Sequence, residues 1–234
     1  MNAQIDFSQV APELFILTAA CIVLIVDALI DKRRRMLTYH LTQATMVVTG
    51  VLVVLFHEPG RTISFHGMFV GDTLSDVLKI FVLLISSCVF FYSKVYLEQR
   101  NLLKGEFFVL GLFAVLGMMV LVSAASLLTV YLGLELLSLC LYALVALNRD
   151  SVSATEAAMK YFVLGALASG MLLYGMSLVY GVTGTIELSA LNEAIASRGA
   201  ENDLVLILGL VFLVVGIAFK LGAVPFHMLS LIHI

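Results

Sequence analysis

Glu135 and Lys220 are the residues of this sequence best placed to do chemistry, because each puts a charge inside an apolar run. Glu135 is the single formal charge between Phe107 and Asn148. A charge near the middle of a bilayer-spanning helix costs at least about 2.5–3.5 kcal/mol. Tyr131, Ser138 and Tyr142 stand at i−4, i+3 and i+7 from Glu135, one polar stripe on an otherwise apolar helix. Two readings follow. Glu135 is a protonated structural carboxyl bonded between helices, or it is a carboxylate that carries protons along a buried polar path. The stripe favours the second.

Lys220 lies 16 residues after Leu204, about 24 Å along a regular helix. That distance lets it snorkel to an interface. Gly222 and Pro225 follow within five residues and predict a helix break. Apolar sequence continues to Ile234, so the break falls inside the membrane, where transporters place such lysines. Lys160 follows Glu156 at i,i+4, the spacing of an ordinary helix-end ion pair. Lys79, after Asp72 and Asp76 at a helix start, reads as an interfacial anchor. His227, after Pro225, is the weakest candidate, either a proton relay or an ordinary helix-end histidine. His40, His57 and His66 read as interfacial or loop-bound and are assigned no role.

The elements that must position these groups follow from composition. Of 234 residues, 62% are hydrophobic and 12% charged, about half the charge of a soluble domain. This excludes a water-soluble globule, a disordered chain and a basic nucleic-acid-binding domain. An all-α polytopic membrane protein remains. Seven apolar blocks predict helices over 12–30, 37–56, 73–93, 107–123, 127–147, 155–180 and 204–224. The run 107–148 would be about 63 Å as one helix, twice a bilayer core of about 30 Å. It must fold back, and Ser123-Ala124-Ala125-Ser126 is the polar corner that allows it.

Basic residues set the expected orientation. Lys32 to Arg35, Lys94, Arg100, Lys104 and Arg149 fall in one set of loops, and only Arg61 and Arg198 in the other. The N-terminus is therefore expected outside. The first block has no basic residue before it and four directly after it, unlike a cleaved signal peptide. Gly165, Ala166, Ala168, Ser169 and Gly170 form a small-residue face for close helix packing. Cys21, Cys88 and Cys140 read as buried free thiols. No phosphate loop, nucleophile elbow, metal site or haem or iron–sulfur ligand set is visible, so no redox cofactor is implied in this chain.

Three segments together resemble a known family. Tyr131-Leu-Gly-Leu-Glu135-Leu-Leu-Ser138 resembles the glutamate helix of the antiporter-like subunits of respiratory complex I. Glu156-Ala-Ala-Met-Lys160-Tyr-Phe-Val-Leu-Gly165 resembles the start of the next helix in those subunits, and Phe219-Lys220-Leu-Gly-Ala-Val-Pro225-Phe-His227 their broken seventh helix. The resemblance implies two inverted repeats in the family, of which 1–228 corresponds to the first, with helix seven broken near Pro225. The tail 229–234 departs from the family pattern and reads as foreign. The resemblance further implies a proton-translocating membrane-arm subunit of NADH–quinone oxidoreductase, in a bacterial inner membrane. Its partners would be lipid and the other membrane-arm subunits, and it would bind no nucleic acid. NADH, FMN, iron–sulfur clusters and quinone would belong to partner subunits. Glu135, Lys220, Lys160 and, last, His227 would carry the protons. The rival expectations are a subunit of a multisubunit cation/proton antiporter and a non-conducting scaffold that would tolerate Glu135→Gln.

Overall fold

The computed structural model describes residues 7–30, 35–100, 102–198 and 204–224. Among them are eight helices and one two-stranded hairpin. Six helices are long and apolar enough to cross a membrane. These are α1 (Ala11–Leu29), α2 (Arg35–Leu55), α3 (Thr73–Gln99), α4 (Gly105–Val122), α5 (Leu127–Val145) and α6 (Val152–Thr183). They and α8 (Leu204–Lys220) correspond to the seven apolar blocks, and the chain is an all-α polytopic membrane protein. Two elements carry no apolar block. One is α7 (Leu188–Arg198), a short helix in the α6–α8 connection. The other is the antiparallel hairpin β1 (Thr62–Ser64) and β2 (Phe69–Gly71), paired Thr62 to Gly71 and Ser64 to Phe69.

Local chemistry fixes the helix ends. Pro12 occupies the first turn of α1, where its missing N–H is no loss. Asp72 and Ser75 form a reciprocal capping box on α3. Ser126 and Ser151 cap α5 and α6 by accepting from Thr129 and Ala154 backbone N–H groups. The fold-back between α4 and α5 occurs at residues 123–126. Its backbone is satisfied from both sides: Val70 N–H donates to Ser123 O, Ala125 N–H to Met68 O, and Leu188 N–H to Ala125 O. The hairpin and the α6–α7 connection thus close this end of the bundle without stranding polar backbone in an apolar setting.

Two packed units emerge. In the first, α4 is central, and Phe108, Leu112, Val115 and Met119 meet Ile16 of α1, Met46 of α2 and Leu83 and Phe90 of α3. α5 joins it through a backbone approach: a Cβ on Gly133 would lie 3.0 Å from Gly117 O, and one on Gly117 2.8 Å from Leu137 N. In the second unit, α6 and α8 press together at Gly175, Gly209 and Gly216, where a Cβ would meet facing backbone or Cβ atoms at about 3 Å. Leu172, Met176, Val179 and Leu206 fill that seam. α5 and α6 meet far less extensively than either of these pairs. Outward faces carry exposed apolar residues such as Ile22, Phe91 and Val214, as lipid requires. Cys21 and Cys88 belong to those outward faces; only Cys140 is buried, which corrects the expectation for the other two, and all three thiols are free.

Candidate functional site

The site lies where α5, α6 and α8 converge. α8 ends at Lys220, and Gly222 turns the chain with φ of +63°, a backbone that favours glycine. At 17 residues, α8 is about 25 Å long and stops within the bundle beside the middle of α5. Lys220 does not snorkel; its side chain is 8% exposed. Its Nζ donates to Glu135 Oε1 at 2.9 Å and to Ser138 Oγ at 2.7 Å. Ser138 in turn donates its hydroxyl proton to Leu134 O, which leaves its oxygen free to accept from the ammonium. Ser169 of α6 donates to the same Oε1 of Glu135. Two of the three lysine protons and one carboxylate oxygen are thus committed within a single network spanning three helices.

The rest of the polar stripe faces the same side. Tyr131 packs against the α6–α8 cluster, and Tyr142 is buried against Gly165, edge-on to Tyr161 and Phe162. Gly165 and Ala168 are buried, whereas Ala166 and Gly170 are exposed. Ser169 lies on the packing face and was read from the sequence as packing alone. It is a polar ligand of the carboxylate, and its position one turn from Gly165 beside Ala168 was the only hint of that.

Lys160 is not brought to this network. Its Nζ pairs with Glu156 Oε1 at 2.6 Å in an exposed i,i+4 bridge. It precedes Ser169 by nine residues, half a turn out of phase and about 13 Å away along α6. Pro225 and His227 lie outside the described residues. Lys79 requires a correction. It is no interfacial anchor but one of the most buried side chains of the chain, 2% exposed, with Nζ 2.7 Å from Glu13 Oε1. A carboxylate brought in from α1 offsets its charge, and the Phe69 ring lies beside it.

A carboxylate and a lysine are thus joined inside a bundle of membrane-spanning helices. Comparison with known proteins places the chain more narrowly. Residues 124–229, which carry Glu135, Lys160 and Lys220, match the family described as NADH:quinone oxidoreductase/Mrp antiporter, TM. NADH-quinone oxidoreductase subunit N of Alkalilimnicola ehrlichii is 55% identical over 95% of this chain and 45% of its own length. The subunit N of Thioalkalivibrio sulfidiphilus is 52% identical over 95% of this chain and 46% of its own length. A chain of respiratory complex I from Thermus thermophilus with bound aureothin superposes with a TM-score of 0.72. It is 28% identical, over 94% of this chain and 46% of its own length. Over nearly all of its length the chain is similar to these subunits, and its six long apolar helices make it a multi-pass membrane protein. It spans about half the length of the curated relatives it matches.

Proposed function

We propose that this chain forms part of a proton-translocating membrane-arm subunit of NADH–quinone oxidoreductase. It would sit in a bacterial inner membrane with its N-terminus outside. The observation that carries the reading is the buried contact of Lys220 with Glu135, supported by the kinship just described. The redox cofactors and quinone belong to partner subunits in this reading, and the chain's own task is to hold and release protons. An ammonium removed from water needs a counter-charge. While Glu135 is ionised and in contact, Lys220 keeps its proton. When the carboxylate is neutralised or drawn away, an unpaired buried charge remains, a situation that costs about 3–5 kcal/mol. Releasing the proton relieves it. Moving one proton against about 150 mV requires roughly 3.5 kcal/mol, so the contact is of a size to be coupled to transport. Lys160, in the first turns of α6 and paired with Glu156, is proposed to exchange protons with the cytoplasmic side. His227 is the weakest member of the proposed path, and no step is assigned to it.

The test is NADH-driven proton uptake by everted vesicles carrying the chain in its assembled complex. Lys220→Ala should abolish uptake while a native gel still shows the complex. Uptake at the unmodified rate would overturn the reading. The orientation has its own test. A cysteine introduced at Arg34 should resist an impermeant reagent added outside intact cells, and ready labelling would reverse the topology.

A further inference from the structure

A second set of titratable groups lies apart from α5, α6 and α8, at the end of the bundle closed by the hairpin. His57 Nδ1 is 2.7 Å from Asp76 Oδ2. The other oxygen of Asp76, Oδ1, is 4.0 Å from Lys79 Nζ. Lys79 Nζ is 2.7 Å from Glu13 Oε1. Side-chain exposure falls along this order from 37% at His57 to 20% at Asp76, 2% at Lys79 and 4% at Glu13. Asp76 and Lys79 are one turn apart on α3, and tertiary packing brings His57 of the α2–β1 connection and Glu13 of α1 to either end of that pair.

The inner end of this series is under-bonded. The Glu13–Lys79 contact is close, yet neither carboxylate oxygen of Glu13 accepts an aligned hydrogen bond, and both are buried. Ser123 Oγ, the third buried side-chain polar atom without a partner among the described residues, belongs to the same end. It is tied there by the bond from Val70 N–H to Ser123 O, next to Phe69, whose ring centroid is 5.0 Å from Lys79 Nζ. Buried polar atoms are nearly always bonded; Oε1 lies against Lys79 Nζ, and Oε2 is the oxygen left without a partner. Other charged groups at this end are occupied or stand off. Asp72 is held by Ser75 at the α3 N-cap, Gln9 donates to Glu58, and Glu187 packs against Gly67 and accepts from Ser189. Arg61 and His66 lie on the hairpin, and α2 and α4 carry no titratable side chain in the turns that reach this end.

We propose that His57, Asp76, Lys79 and Glu13 form a proton-loading branch, opening to the aqueous phase at His57 and ending at the Glu13 carboxyl. A proton taken from water by His57 moves to Asp76. The Lys79 ammonium gives its own proton to Glu13 and is reprotonated from Asp76. The balance is one proton from solvent in and a neutral Glu13 acid, with Lys79 still charged and its counter-charge then supplied by Asp76 Oδ1 at 4.0 Å, and no other reactant. Histidine is the side chain suited to such entry near neutral pH. The branch does not depend on the reading of Glu135 and Lys220.

The test is infrared difference spectroscopy of the purified assembled complex during a pH drop. A carboxylic-acid carbonyl band should rise, and Glu13→Gln should remove it. If that variant fails to assemble, Glu13→Asp gives the assignment by shifting the band. His57→Asn, a surface change, should leave the amplitude and slow the rise about tenfold. That is less than the ~10² of a fully enclosed transfer group, because Asp76 is itself part-exposed. Glu135→Gln should leave the band untouched. A Glu13 that yields no protonation band, or a rise unaffected by His57→Asn, would reduce the series to a structural ion pair and overturn the proposal.

Discussion

Glu135→Gln isolates charge from shape. The amide keeps an oxygen where Oε1 now accepts from Lys220 and Ser169, so packing and hydrogen bonding survive and only the negative charge is lost. Lys220 is 8% exposed and Glu135 20%, so the loss lies toward the lower end of the roughly 3–5 kcal/mol that breaking a buried pair costs. About 3 kcal/mol corresponds to a factor of roughly 10² in a rate or equilibrium. Proton pumping should fall by about that factor. NADH oxidation should fall with it if the steps are tightly coupled. Glu135→Asp, which keeps the charge and withdraws it by one methylene, should be milder. The assay is NADH oxidation and proton uptake in everted vesicles, with assembly followed on native gels. An assembled Glu135→Gln complex pumping normally would refute the role given to the charge and leave Glu135 as a structural acceptor.

Two further expectations follow from neighbouring contacts. Ser169→Ala removes one hydrogen bond to an ionised group, worth about 1.5–3 kcal/mol, and should slow pumping roughly tenfold or more without disturbing assembly. Gly133→Leu would drive a side chain into the backbone of α4, 3.0 Å away. It should lower the denaturation temperature of the assembled complex in a thermal unfolding assay, since overpacking costs about 1–3 kcal/mol.

The spanning helices were legible in the sequence because lipid forces their backbone bonds inward and their side chains to be apolar. The fold-back at Ser123–Ser126 was legible from length alone, since 42 residues cannot cross one bilayer once. α7 was hidden because a short interfacial helix needs no apolar block, and β1 and β2 because three-residue strands leave no period to read. At the site, Glu135 and Lys220 stood out by the cost of their burial. Ser169 did not, because a hydroxyl on a small-residue face carries no such cost until a partner is known. Lys79 was misread for a related reason. Its near neighbours in sequence are Asp72 and Asp76, whereas the carboxylate that touches it, Glu13, is 66 residues away. Spacing reports partners on the same helix, and this partner is supplied by packing.

The glycine contacts have a mechanical consequence. Gly117 and Gly133 lock α5 to α4 at backbone level, two residues before Glu135, while Gly216 locks α8 to α6 four residues before Lys220. Each charge is therefore bolted to a different stiff unit, and the seam between the units is the thin one, α5 against α6. The lysine contact and the Ser169 bond both straddle that seam. Packed helices slide past one another by about 1–2 Å in conformational switches. Opening the ion pair from 2.9 Å by about 1 Å weakens its Coulomb attraction by roughly 1.5 kcal/mol at an effective dielectric of about 20. The two helix pairs act as the jaws of a gauge, converting a small shear between them into a change in how tightly Glu135 and Lys220 are held together.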